Sequence, residues 1–158
     1  MRLLLKGRPG IGKTTVARRL LTLLQEADVP VGGFTTGELR TSRRREGFVV
    51  EATCGAQGLL AHVDLPGPPR VGRYGVDLAA FERVALPALG DPGLGGVVVV
   101  DELGKMELAS AALRAAVVEL LGAGCDRGGH RAGRAPPVHR CPQASARHPD
   151  DPGHRSNP

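Results

Sequence analysis

Residues 7 to 14, Gly7-Arg8-Pro9-Gly10-Ile11-Gly12-Lys13-Thr14, have the spacing G-x-x-x-x-G-K-[ST]. That pattern builds a phosphate cradle: the glycines let successive main-chain N–H groups turn inward around phosphate oxygens, and a following helix adds the positive end of its dipole. Gly7, Arg8, Pro9, Gly10, Ile11 and Gly12 would form the cradle. Lys13 would reach the β- and γ-phosphates, Thr14 would place its hydroxyl on Mg²⁺, and Thr15, one step into the helix, would contact the α-phosphate. A second acidic half is expected at the end of a buried strand, where an open α/β sheet delivers side chains to its ligand crevice. Val97-Val98-Val99-Val100-Asp101-Glu102 supplies it. Asp101 would hold the magnesium through its water shell, and Glu102 would orient or deprotonate an attacking water. The bland readings are a glycine-rich connection with an exposed lysine, and carboxylates that merely end a strand in solvent. The two patterns together in one chain favour the chemical reading.

The elements that must position these groups follow from periodicity. Arg2 to Lys6 reads as a short buried strand, and Thr14 to Ala27 as an amphipathic helix with apolar residues at three- and four-residue spacing. Strand, glycine loop and helix are the order that the cradle requires. Gly33–Thr36, Gly47–Ala52 and Leu59–Val63 are β-type segments separated by turns and predict an antiparallel meander inserted after the first helix. Val71 to Val76 reads as one short strand, and Leu78 to Leu89 as a helix that Pro87 would end or kink early. Gly96 to Val100 demands a central strand of a covered sheet, and Glu107 to Leu121 reads as a third helix. The expected class is α/β: a mostly parallel sheet flanked by helices, carrying the meander.

Length and composition narrow the class of protein. A chain of 158 residues is one domain of ordinary size, and no apolar run approaches the roughly 20 residues that span a bilayer. Met1 to Leu5 is too short and too soon followed by glycines to act as a secretory signal. Cys54, Cys125 and Cys141 form no C-x-x-C pair, so a cytoplasmic location without membrane contact is expected. The net charge of +5 suggests nucleic acid at first sight, but residues 1 to 124 carry 15 Lys and Arg against 13 Asp and Glu, and aromatics are only 3%. A nucleic-acid partner is therefore disfavoured. Among weaker candidates, Arg40, Arg45 or Arg73 could place a cation on developing γ-phosphate charge, while the run Arg43-Arg44-Arg45 reads more simply as a solvated hairpin turn. Lys105 could touch phosphate or solvate a turn, Phe34 and Tyr74 could stack on a base but fit a core or edge role better, and His62 reads as structural.

The body of the chain resembles a known family, the small P-loop nucleoside-triphosphatases of the cancer-related NTPase type and their thermophile-type nucleotide phosphatase counterparts. The likeness rests on Gly7 to Thr15, Gly32-Gly33-Phe34-Thr35-Thr36-Gly37-Glu38-Leu39-Arg40, Arg45-Glu46-Gly47-Phe48, Val71-Gly72-Arg73-Tyr74, and Val100-Asp101-Glu102-Leu103-Gly104-Lys105-Met106-Glu107. It implies a P-loop fold and Mg²⁺-dependent hydrolysis of nucleoside triphosphates (ATP, GTP and others) to diphosphate and phosphate. It also implies that residues 7 to 14 and 97 to 104 (Val97, Val98, Val99, Val100, Asp101, Glu102, Leu103 and Gly104) are the nucleotide-binding segments.

The resemblance stops near Gly124. Residues 125 to 158 contain one Val, Ile, Leu, Met or aromatic residue, Val138, beside six of the 13 prolines and four of the five histidines. Such a segment cannot bury enough apolar area to offset its ordering entropy, and the family's C-terminal strands are missing from it. Two accounts are open: a shifted reading frame near Gly124, since codons read one base later permit a strand–helix–strand string containing A-R-H-P-F, or a genuine disordered tail. The expected organisation is thus a truncated NTPase domain over 1–124 with a tail over 125–158. Cys125, His130, His139 and Cys141 match no zinc spacing. A P-loop small-molecule or nucleoside kinase, and a non-catalytic nucleotide-binding or inert truncated product, remain as alternative functions; protein partners are left open.

Overall fold

The computed structural model describes residues 7, 8, 10–42 and 44–122. The strand expected at Arg2–Lys6, position 9 of the glycine loop, the boundary at Gly124 and the tail lie outside the described residues. In chain order the elements are α1 (Lys13–Glu26), β1 (Val31–Thr41), β2 (Arg44–Ala52), β3 (Gln57–His62), β4 (Arg70–Val71), β5 (Tyr74–Val76), α2 (Leu78–Ala88), β6 (Val97–Val100), a 3-10 turn (Glu107–Ala109) and α3 (Ala111–Gly122). Among the described residues the strands form one sheet in the order β4-β5-β3-β2-β1-β6.

The sheet is mixed. β1 runs parallel to β6, with Val31 to Phe34 opposite Val97 to Val100, while the remaining pairs are antiparallel. The meander expected from the sequence is present and dominates the described part, so the parallel character is confined there to β1 and β6. β1 serves both halves: its first residues pair with β6, and it then continues beyond β6 as one arm of a long hairpin with β2. Gly33 makes the β1–β6 approach possible. Its φ is +107°, and a Cβ there would stand 1.9 Å from the Val99 carbonyl oxygen, so any side chain would push the two strands apart.

Strand alternation sorts the side chains onto two covered faces. Phe34, Val50, Ala52 and Leu60 pack with Phe81, Val84 and Ala85 of α2 and with Leu113 of α3, and Val98 and Val100 lie against this core. The Phe34 and Phe81 rings meet edge to face at 5.7 Å. On the opposite face lies α1, packed against β1 and β6; Arg18 reaches the space above Gly37 there. β6 thus has helices on both faces, with Val99 buried and Val97, Val98 and Val100 half-buried, and among the described residues it is the outermost strand rather than the central one its apolar run predicts.

Three local expectations differ from the structure. Val71 to Val76 is not one strand: Gly72 turns at φ +59° and splits it into the β4–β5 hairpin. Pro87 does not end α2, because it sits in the last turn, where Leu89 N–H still reaches the Ala85 carbonyl. The third helix begins later, at Ala111, after the 3-10 turn; Ser110 adopts an extended ψ and its hydroxyl accepts from Leu113 N–H at 2.9 Å. Of the run Arg43–Arg45, Arg44 and Arg45 open β2 opposite Thr41 and Arg40, next to a turn in which Ser42 takes φ +57°, and position 43 lies outside the described residues. Cys54, in the turn after β2, is disulfide-bonded. No helix among the described residues is long and apolar enough to cross a membrane.

Candidate functional site

The glycine loop leads into α1 with strain taken up by two glycines, Gly10 at φ +80° and Gly12 at φ +100°. Gly12 is the helix cap and offers no side chain to the first helical N–H groups; the first helical bond runs from Val16 N–H to Gly12 carbonyl at 3.0 Å. Among the described residues no side chain caps the amides of the first turn, and free amides there are what an anion site at a helix start consists of. Lys13 folds back over the loop, its Nζ donating to the carbonyl oxygens of Gly7 at 3.0 Å and Arg8 at 3.2 Å. An ammonium held only by exposed loop carbonyls can exchange them for phosphate oxygens, which are charged and stronger acceptors. Gly7, Arg8, Gly10, Ile11 and Thr15 are exposed, and Gly12, Lys13 and Thr14 half-buried.

Asp101 follows β6 directly, and its N–H extends the ladder by donating to the Phe34 carbonyl at 3.2 Å. Alternation along Val97, Val99 and Asp101 puts its side chain on the face that α1 covers, the helix that begins at the glycine loop. Both carboxylate oxygens are buried, and among the described residues neither has a hydrogen-bond partner. Buried carboxylate oxygens ordinarily carry several partners. This orphaned acceptor pair fits a bound hydrated cation. Glu102, next in sequence, is exposed.

Glu107 is a carboxylate at this site that sequence reading passed over as the start of a helix. It is 5% exposed, and its Oε2 accepts from Gly104 N–H at 2.9 Å. Burial, reinforced by the charges of Glu102 and Asp101 and opposed by backbone N–H donors, raises its pKa above the ordinary 4.5. The signal available in the sequence was an acid five residues after Glu102 and three after a glycine, which does not by itself indicate burial.

The arginine candidates are engaged elsewhere. Arg40 and Arg45 both pair with Glu38, Arg40 at 2.6 Å. Arg40 is six residues past Phe34, the residue level with the end of β6, and at about 3.3 Å per residue stands roughly 20 Å beyond it. Arg73 donates to the Arg45 carbonyl and to the Tyr74 hydroxyl, and stacks on the Tyr74 ring. Tyr74 meets Phe48 edge to face at 5.2 Å, and Phe34 is fully buried in the core, so both aromatics have packing roles. Lys105 is exposed, and His62 contacts Asp64 at 3.5 Å. On the α1 face an open polar cleft of about 300 Å³ is lined by residues including Arg18, Thr22, Gln25, Thr35 and Glu51.

Comparison with known proteins then decides the family. A family profile described as NTPase matches residues 2–126. The chain belongs to this NTPase family. It is 44% identical over 121 residues to the nucleoside-triphosphatase THEP1 of Thermotoga petrophila, covering 76% of this chain and 65% of that protein. It is 43% identical over 127 residues to the Homo sapiens cancer-related nucleoside-triphosphatase, covering 74% and 67%. Among solved structures, that of a human cancer-related nucleoside triphosphatase superposes with a TM-score of 0.63 at 44% identity, over 73% of this chain and 67% of the other. THEP1 from the hyperthermophile Aquifex aeolicus gives 0.63 at 31%, over 73% and 66%. This NTPase family member therefore spans about two thirds of the length of these relatives, and the fold is the P-loop NTPase fold that its motifs imply.

Proposed function

We propose that the chain hydrolyses nucleoside 5′-triphosphates to diphosphate and phosphate, with Mg²⁺ and with tolerance for more than one base. One observation carries the reading: a buried Asp101 carboxylate with no donor among the described residues, on the sheet face where α1 begins with a glycine loop and uncapped amides. The relatives' names, which say nucleoside-triphosphatase without specifying a base, agree with it.

In this reading the loop amides of residues 7 to 14 and Lys13 hold the phosphates, and Thr14 and Asp101 would hold the magnesium. The ion would neutralise charge on the phosphate oxygens. Lys13 Nζ leaves the carbonyls of Gly7 and Arg8 for the β- and γ-phosphate oxygens. Glu102, exposed beside Gly104, accepts a hydrogen bond from water and orients it toward the γ-phosphorus. No arginine among the described candidates stands free to meet the γ-phosphate, so turnover in isolation is slow, on the order of 10⁻⁴ to 10⁻³ s⁻¹ as in P-loop enzymes that hydrolyse without any arginine on the γ-phosphate.

The test is phosphate release from ATP, GTP, CTP and UTP by the full chain, with and without Mg²⁺, and without any acceptor molecule. Release from several nucleotides that stops on chelation supports the reading. Strict dependence on an added hydroxyl acceptor points instead to phosphoryl transfer, and the reading fails.

A further inference from the structure

Glu107 lies outside the phosphate loop and the metal-facing strand, yet it is tied to the segment that leaves that strand. Among the described residues, 101 to 104 have no helical or strand pairing of their own beyond the Asp101 amide. Two bonds close that segment onto the 3-10 turn: Gly104 N–H donates to Glu107 Oε2 at 2.9 Å, and Leu108 N–H donates to the Gly104 carbonyl at 2.9 Å. Gly104 is therefore gripped at both of its peptide groups. A Cβ on Gly104 would stand 2.9 Å from Glu107 Oε2 and 3.2 Å from Glu102 Oε1. The two carboxylates thus flank a single Cα, and the absence of a side chain lets both approach it. Burying a carboxylate is unfavourable unless its acceptors are used, and Glu107 spends one on the residue beside Glu102.

We infer that Glu107 is a positioning residue for the hydrolytic water: by holding Gly104 it fixes the backbone from which Asp101 and Glu102 project. The inference rests on the reading of Glu102 as the water-orienting carboxylate and deepens it. Displacing a reacting group by about 1 Å can lower a rate roughly 100-fold, so a grip on this short irregular segment bears on kcat more than on nucleotide affinity.

The experiment compares Glu107→Ala, Glu107→Asp and Glu107→Gln in the full chain. Two quantities are read: kcat and KM for Mg²⁺-dependent phosphate release, and amide hydrogen exchange at Gly104 without nucleotide. Alanine removes the acceptor and aspartate withdraws it by one methylene, so both speed Gly104 exchange at least about 10-fold. Both also lower kcat by about 10- to 100-fold with KM changed less than about 3-fold. Glutamine keeps an acceptor oxygen and restores Gly104 protection and most of kcat. Should alanine fail to fold, aspartate carries the test. Unchanged Gly104 exchange in Glu107→Asp overturns the inference, as does Glu107→Gln being as damaging as Glu107→Asp, or a loss confined to KM. Glu102→Gln separates the two readings: if it hydrolyses as fast as wild type while Gly104 exchange still depends on Glu107, the role given to Glu102 has failed and the grip on the segment stands.

Discussion

Replacing Asp101 by asparagine should stabilise the nucleotide-free protein while removing its response to magnesium. The side chain keeps its shape but loses a charge whose two oxygens are buried with no donor among the described residues. Asparagine puts a neutral amide where an unpaired charge stood, and burying a charge costs more than burying an amide; for a residue that is half-buried as a whole the relief is about 1–2 kcal/mol. For a domain of this size that corresponds to a melting midpoint higher by about 2–8 °C. Wild type should instead gain from ligand: one that binds only the folded state adds about 2.7 kcal/mol of stability at 100 times the dissociation constant and raises the midpoint accordingly. Thermal melts of both proteins, with EDTA, with Mg²⁺ and with Mg²⁺ plus a non-hydrolysable nucleoside triphosphate, read both effects. Asp101→Asn melting below wild type in EDTA would refute the assignment of Asp101 as an orphaned acceptor. A magnesium-dependent shift in Asp101→Asn as large as in wild type would refute its role toward the cation.

Other consequences are as direct. Lys13→Ala should reduce phosphate release by at least about 100-fold, with a midpoint within roughly 2 °C of wild type because its bonds are to exposed loop carbonyls; a parallel collapse of stability would place Lys13 in the fold instead. Phe81→Ala empties a fully buried site against Phe34 and should cost about 3–5 kcal/mol in urea unfolding, a large part of a typical domain's total of about 5–15 kcal/mol. Glu38 is pushed up by desolvation but more strongly down by the guanidiniums of Arg40 and Arg45, so its pKa lies below 4.5. A carboxylate so depressed contributes stability above its unfolded pKa and loses it as pH falls through the folded one. Glu38→Gln should therefore be slightly less stable than wild type at pH 7, by no more than about 1 kcal/mol for so exposed a pair, and the difference should vanish as pH falls through the folded pKa of Glu38.

What the sequence disclosed and what it hid divide along a physical line. The phosphate loop could be read because its mechanism needs consecutive main-chain amides at fixed glycine spacing, all within residues 7 to 14. The valine strand and its acidic end could be read because four β-branched residues in a row are favourable only when covered on both faces. Strand order could not: that β6 lies beside β1 depends on Gly33 meeting Val99 across more than sixty intervening positions, and no local pattern encodes such a pairing. Glu107 was hidden for a related reason. Its spacing suits a helix start, and only the turn back onto Gly104 reveals a buried acceptor. Val71 to Val76 misled because the alternation of a strand and that of a two-residue hairpin differ only at Gly72, whose positive φ is allowed but not compelled by its type.

The central claim is that water held by Glu102 attacks the γ-phosphorus of a nucleoside triphosphate lying in the glycine loop. Hydrolysis in ¹⁸O-water by the full chain, followed by mass analysis of both products, tests it most directly. The account predicts one solvent oxygen in each released phosphate and none in the nucleoside diphosphate, with the reaction abolished by Glu102→Gln. Solvent label in the diphosphate, or no phosphate formed by folded protein saturated with Mg²⁺-nucleotide, would contradict it.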